Sequence, residues 1–253
     1  MGAISCMQLN FRRSETTWIL CQQELLERNL APDVILIQDP PSSALGGRNV
    51  LRGYRLVRAP CRGAISGQVA VAIRDTVRFR QLRPFGTRVV MVEVDTADGP
   101  LIIISAYIRH TSGEGLVDLT AACRWAKGRC PRVILGLDGN GHSPLWGPPS
   151  VRRNQVGSLL EDFILSADLD ILNDRGGPET FVSDMGDRTW IDLTLSTPSV
   201  TVSVSDWRVH TDFLTGSDHR PIFYTVDSSP LRTDAFKCKA WKETPWDEFA
   251  AMV

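Results

Sequence analysis

The chain has 253 residues, of which 43% are hydrophobic and 23% charged, a composition that supports a globular fold with a sizeable core. Its formal net charge is −1, which argues against a histone-like binder held by global charge but leaves room for an enzyme with a local basic groove. The six cysteines are scattered without a C-x-x-C pair, which argues against a structural zinc site and a disulfide scaffold; no secretory leader and no run approaching a membrane span is found.

Residues 3–10 read as a first strand ending on the amide Asn10. Ser14 is a helix N-cap candidate, and Trp18, Leu20 or Cys21, Leu25 and Leu26 recur at helical spacing through about Asn29. The short apolar run 34–38 reads as a buried strand ending at Asp39, and Pro40-Pro41 stops it. A Gly- and Arg-rich loop region, 46–67, contains a strand at 54–57. Strands follow at 69–73, 88–94 and 101–107, the last two joined by the hairpin signal Asp98-Gly99. Residues 116–127 read as a helix, 132–137 as a strand ending at Asp138, and 156–166 as a helix. Two strands, 179–183 and 188–195, flank the turn 184–187, and 200–204 and 222–226 complete a strand-rich C-terminal half. No internal repeat is visible. The pattern predicts an α/β fold of two packed, mainly antiparallel sheets flanked by helices. After about Ser228 the chain turns polar and holds three of the four lysines, Lys237, Lys239 and Lys242. The cations of the main body are therefore almost all arginine, whose planar fork suits phosphates and bases; a compositional bias explains this equally well.

Four apolar strands end on Asn10, Asp39, Tyr107 and Asp138, with Asn140 close behind the last. Asp192, Asp218 and His219 lie in the C-terminal half. Ends of adjacent strands share one edge of a sheet, so such residues can surround one cleft. Any one polar strand end is ordinary; the set is not. Carboxylates and amides without cysteine pairs are hard ligands suited to Mg²⁺ or Mn²⁺. A histidine beside an acid can be held in one tautomer and can stabilise developing negative charge. No G-x-S-x-G or P-loop is present. Metal-assisted hydrolysis of a phosphate ester is the best match.

The ordered set Leu9-Asn10, Gln38-Asp39, Tyr107, Leu137-Asp138-Gly139-Asn140, Thr189-Trp190-Ile191-Asp192 and Ser217-Asp218-His219 resembles the endonuclease/exonuclease/phosphatase superfamily over residues 3–228. The extended motifs at 138–147 and 189–195 are similar to those of the apurinic-endonuclease-like domain of site-specific non-LTR retrotransposons. The tail, with Trp241-Lys242 and Trp246, resembles the stretch that precedes a reverse transcriptase. The resemblance implies a four-layer α/β sandwich at 1–228 and a linker-like tail at 229–253, leading towards a reverse transcriptase beyond this chain. It implies a nick in double-stranded target DNA, in the nucleus, that leaves a 3′-hydroxyl to prime reverse transcription. It implies roles as well. Asp39, helped by Asn10 and Asp218, binds Mg²⁺ or Mn²⁺. Asp138 orients and deprotonates the attacking water, and Asn140 and Tyr107 hold the phosphate. His219 stabilises the transition state, and Asp192 orients His219.

Asp39 departs from the family, where glutamate is usual, and Arg109-His110 differs from the common Pro-Asn type sequence. By resemblance, the hairpin around Asp184, Met185, Asp187 and Arg188 enters a groove of the target; an ordinary hairpin tip explains its Asp and Gly content equally well. Arg12, Arg13, Arg48, Arg52, Arg62, Arg152 and Arg153 are candidates for phosphate contact. Three further readings stay open: an abasic-site repair endonuclease, a phosphatase of lipid or inositol substrates, and a catalytically silent DNA-binding module.

Overall fold

The computed structural model describes residues 2–42, 51–60 and 67–233. The first half runs β1 (Ile4–Asn10), α1 (Glu15–Glu27), β2 (Val34–Gln38), β3 (Tyr54–Arg58), β4 (Val69–Arg74), β5 (Phe79–Gln81), β6 (Val89–Val94) and β7 (Leu101–Tyr107). The second runs α2 (Leu116–Arg129), β8 (Val133–Asp138), α3 (Gln155–Ser166), β9 (Asp170–Ile171), β10 (Phe181–Val182), β11 (Arg188–Thr189), β12 (Asp192–Ser196), α4 (Pro198–Thr201), β13 (Val204–Val209) and β14 (Ile222–Val226). None of these helices is long and apolar enough to cross a membrane.

Two six-stranded sheets form, in the orders β13-β14-β1-β2-β4-β3 and β5-β6-β7-β8-β12-β9. Each is antiparallel except for one central parallel pair, β1–β2 and β7–β8. A parallel pair needs a crossover, and α1 and α2 supply one each. Strand alternation then builds the layers. In β1 and β2, Met7, Leu9, Ile35 and Ile37 pack outward with Trp18, Cys21 and Leu25 of α1. Cys6, Val34 and Leu36 turn inward and meet Ile103 and Ile134 of the other sheet. The outer face of the second sheet, with Met91, Ile104 and Leu135, is covered by Leu119 and Cys123 of α2 and Leu160 of α3. The result is the expected helix–sheet–sheet–helix sandwich.

At one end the inter-sheet layer becomes polar. Gln8 donates through Nε2 to the Leu137 carbonyl at 3.2 Å, and Gln38 donates to Ser105 Oγ at 3.1 Å. The sheets approach closely here because Gly136 has no side chain. A Cβ on it would sit 2.5 Å from Gln8 Oε1 and 2.8 Å from Leu36 Cδ2.

Sequence periodicity misplaces some boundaries. The segment 188–195 is two strands, not one, because the Thr180 hydroxyl accepts from the backbone N–H of Ile191 and of Asp192 and breaks the ladder between them. The segment 200–204 is not a strand. Pro198 starts a short helix there, and the strand begins at Val204. The short strands β5 and β9 carry no clear alternation and escape the sequence reading. Residues 230–232 stay attached to the body, with Arg78 N–H donating to the Leu231 carbonyl at 2.9 Å. Arg48, Arg62 and the tail from 234 onward, with Trp241, Lys242 and Trp246, lie outside the described residues.

Candidate active site

The strand registers decide which polar ends meet. Asn10 is the parallel partner of Gln38, so Asn10 and Asp39 leave the first sheet side by side. Tyr107 is the parallel partner of Asp138, and Asp192, opening antiparallel β12, is paired with that same Asp138. β14 runs antiparallel to β1 with Gln8 opposite Ile222, which brings the preceding 217–219 turn to the Asn10 end. The two sheets are stitched at this edge: Asn10 donates through Nδ2 to Asp138 Oδ2 at 2.7 Å.

His219 is 6% exposed and sits between three carboxylates. Its Nδ1 lies 3.1 and 2.9 Å from the two oxygens of Asp192. Its Nε2 lies 4.0 Å from Asp138 Oδ2 and 3.9 Å from Asp218 Oδ1. Burial pulls the imidazole pKa down, but Asp192, by charge and hydrogen bond, and then Asp138 and Asp218 outweigh it, and the net result is a rise to about 9. His219 is therefore an imidazolium at neutral pH. Asp138 is 1% exposed, and burial pushes its carboxyl up to about 7, with Asp192 adding to the rise and His219 and Asn10 opposing it. The surrounding carboxylates thus favour the protonated imidazole, while burial holds the Asp138 carboxyl above the usual range of an aspartate.

The turn carrying His219 is pinned on every side. Ser217 Oγ donates to the Asn10 carbonyl at 2.9 Å and accepts from the His219 N–H at 3.1 Å. The Phe181 ring meets the imidazole edge-on, centroids 4.9 Å apart. Val182 N–H donates to the Asp218 carbonyl and Arg220 N–H to the Thr180 carbonyl, so the hairpin base is bonded directly to the histidine turn. From the sequence Ser217 belonged to the Ser-Asp-His motif but was given no role, and Thr180 was given none either.

Asn140 donates through Nδ2 to the Ile108 carbonyl and by its backbone to Asp138 Oδ1. Tyr107 is half-buried, and burial first, then the charges of Asp138 and Asp39, raise its phenol to about 12, so it remains a donor. Backbone φ is positive at Arg12, Arg13, Asp39 and Asn140. Left-handed residues other than glycine cluster at functional sites, and here the bonds that impose them are visible. Arg12 N–H donates to Asn10 Oδ1 at 2.8 Å, and Arg13 N–H to the Asp39 carbonyl at 2.7 Å.

Arg12 and Arg13 thus turn into the site. Arg12 Nε lies 3.3 Å from Asp218 Oδ1, and Arg13 Nε lies 3.2 Å from Asp39 Oδ1. The ligand atoms of Asp138, Asp192 and His219 lie within 4.8 Å of one another and have the chemistry to hold a metal ion. His219 Nδ1 is already engaged by Asp192, however, so that corner reads better as an oriented imidazolium. The fit for a hard cation is better on the other side. Among the described residues Asp218 Oδ1 is buried without a hydrogen-bond partner, and Asp39, Asn10 and Asp138 supply further oxygen donors, the set that Mg²⁺ or Mn²⁺ takes.

The span 101–223 matches the family model described as endonuclease-reverse transcriptase. It holds Tyr107, Asp138, Asn140, Asp192, Asp218 and His219. The endonuclease domain of TRAS1, a telomere-specific non-LTR retrotransposon, superimposes with a TM-score of 0.75 at 22% identity, covering 92% of this chain and all (100%) of that one. The AP endonuclease of Leishmania major gives 0.68 at 15% identity, covering 88% and 87% of the two chains. The 3′-5′ exonuclease NExo of Neisseria meningitidis gives 0.65 at 17%, covering 88% and 99%. Over residues 101–223 the chain is similar to that family, and its fold is that of these solved structures. No curated protein sequence matches it.

The remaining sequence candidates separate. Met185 at the hairpin tip is 90% exposed, and Asp184, Asp187 and Arg188 are exposed beside it. Arg188 also donates to the buried carboxylate of Glu179 at 3.1 Å, which Arg220 shares at 2.7 Å. Arg152 and His142 border a cleft of about 160 Å³ under that hairpin, with Arg188 and Trp190. Arg153 is paired with Glu161, and Arg52 borders an apolar groove beside Leu26 of α1. Trp146 is fully buried and donates to the Gly141 carbonyl, which makes it a packing residue under the Asp138 loop.

Proposed function

We propose that this chain is a metal-dependent endonuclease domain of a non-LTR retrotransposon. It nicks double-stranded target DNA in the nucleus and leaves a 3′-hydroxyl from which a covalently linked reverse transcriptase primes. One observation carries the hydrolytic reading: the buried imidazole of His219, held through Nδ1 by Asp192 at 2.9 Å, presents Nε2 4.0 Å from the buried carboxylate of Asp138. Likeness to the TRAS1 domain, over 92% of this chain, supports the retrotransposon setting.

In this reading the scissile phosphate lies between His219, Asn140 and Tyr107. His219 Nε2 and the Tyr107 hydroxyl donate to its oxygens and stabilise the negative charge that builds in the transition state. Asp138 accepts the proton of the attacking water. Asp39, Asn10 and Asp218 would hold Mg²⁺ or Mn²⁺, which when bound neutralises phosphate charge and the leaving oxygen. Asp192 keeps Nδ1 protonated, so that Nε2 faces the phosphate. In this reading the tip at Asp184, Met185 and Asp187, exposed at the end of its hairpin, enters a groove of the target.

The test is to incubate the protein with a long, mixed duplex and Mg²⁺, extend the nicks with a polymerase and map them. Extendable nicks gathered at one or a few intact sequences support the proposal. Nicks confined to abasic positions support a repair enzyme instead. Release of phosphate from small esters without DNA cleavage points to a phosphatase.

A further inference from the structure

Beside the reaction centre lies a second cleft, of about 350 Å³, lined by Arg13, Gln68, Arg88, Tyr107, Arg109 and His110. Its walls are fixed to the site by the backbone. Asp39 N–H donates to the Gln68 carbonyl at 2.8 Å, Gln68 N–H to the Thr87 carbonyl at 3.0 Å, and Tyr107 N–H to the Arg88 carbonyl at 3.0 Å. Whatever this cleft binds is therefore held in register with Tyr107 and Asp39.

Its charges are only provisionally matched. Arg88 is buried, yet among the described residues its Nε has no hydrogen-bond partner. Its acidic partner there is Glu114, 2.6 Å from Nη1, and Arg109 leans on the same carboxylate at 3.5 Å. The Glu114 side chain is 52% exposed, so one solvated carboxylate serves two guanidinium groups. A buried cation that is left half-satisfied favours a further anion. Glu114 reaches Arg88 because Gly115 follows it with φ +105; a Cβ there would lie 2.6 Å from the Tyr107 carbonyl and 3.2 Å from Arg88 Cδ. The third arginine, Arg13, is shared with Asp39.

We infer that this cleft binds a backbone phosphate of the substrate strand adjacent to the scissile one, and that Glu114 is the internal counter-ion this phosphate displaces. The inference rests on the DNA endonuclease reading and adds a subsite to it. Arg88 and Arg109 take the phosphate, Gln68 forms the opposite wall, and Tyr107 stands between the two phosphates. Such a contact positions the duplex without reading its sequence.

The experiment measures binding of the whole protein, in EDTA so that no cleavage intervenes, to duplexes carrying one uncharged methylphosphonate at each linkage in turn. The wild-type protein is expected to lose about tenfold in affinity at one linkage flanking the scissile position. Arg109→Ala is expected to weaken binding to the unmodified duplex, lower the salt slope by about one, and lose its sensitivity to that linkage. Glu114→Gln is expected to bind about threefold tighter, and to lose that gain on the same modified duplex. Arg109 and Glu114 are exposed, so neither substitution threatens the fold. Wild-type protein that binds and nicks, with Glu114→Gln no tighter and Arg109→Ala as sensitive as wild type at every linkage, overturns the subsite alone. Wild-type protein that binds no duplex overturns the subsite and the endonuclease reading together.

Discussion

His219 presents Nδ1 to both oxygens of Asp192, at 3.1 and 2.9 Å, from a turn 27 residues further along the chain. The contact leaves Nε2 as the only imidazole nitrogen able to face a substrate. It also opposes the burial that would otherwise discharge the ring. Replacing Asp192 by Asn should drop the His219 pKa well below about 9, visible as an earlier titration of the ring protons by NMR. Nicking should fall, by no more than the ~10²–10³-fold expected for loss of the charge-stabilising donor itself. An unchanged titration would mean that Asp138 and Asp218 alone hold the charge.

The pH profile follows from the same pair. Asp138 must be ionised to accept a proton, and its carboxyl is pushed up to about 7, chiefly by burial. His219 must keep its proton, and it does so up to about 9. The nicking rate should rise as pH increases through about 7 and fall as it passes about 9. In Asp138→Asn the acid limb should vanish together with most of the activity. A rate that is flat between pH 5 and 7 at saturating metal would remove Asp138 from the role of base.

Arg13 competes for the carboxylate that would bind the cation, through its 3.2 Å contact with Asp39. Its side chain is 56% exposed, so the pair is weak. Arg13→Ala should lower the Mg²⁺ concentration for half-maximal nicking by about two- to fivefold, and direct Mn²⁺ binding should tighten in parallel. Weaker Mn²⁺ binding in that variant would place the cation away from Asp39.

Thr180 joins the hairpin to the dyad, because its hydroxyl accepts from the N–H groups of Ile191 and Asp192. Thr180→Val keeps the shape and strands both donors, at roughly 1–3 kcal/mol each. The variant should lose stability in urea by about that sum. It should lose turnover more than it loses DNA affinity, since Asp192 is the residue displaced. Gly136→Ala, two residues before Asp138 but buried between the sheets, offers a contrast in packing. Its Cβ meets Gln8 and Leu36 between the sheets, and overpacking of this kind costs about 1–3 kcal/mol. Its Tm should fall while the pH profile keeps its shape.

The polar strand ends were legible because a strand that stops at a cleft has to show its last residue in the sequence. Asn10, Asp39, Tyr107 and Asp138 all follow apolar runs, and registers that align parallel strands at their ends bring them together. What stayed hidden is local and hydrogen-bonded. The break at Trp190 and Ile191 depends on a hydroxyl eleven and twelve residues from the donors it binds, which no periodicity carries. The inward turn of Arg12 and Arg13 depends on left-handed backbone at both. A sequence reading could only treat them as surface cations for DNA, whereas the structure spends them on Asp218 and Asp39. Arg88 and Gln68 lay inside or beside strands and carried no motif, yet they line the second cleft.

The most direct measurement is conversion of supercoiled plasmid to the open circle, with Mg²⁺ or Mn²⁺, by wild-type protein and by His219→Ala purified in parallel. Wild type should nick, and His219→Ala should be slower by ~10²–10³-fold, the cost of losing one charge-stabilising donor. Equal nicking by the two proteins, or none by either, would contradict the account.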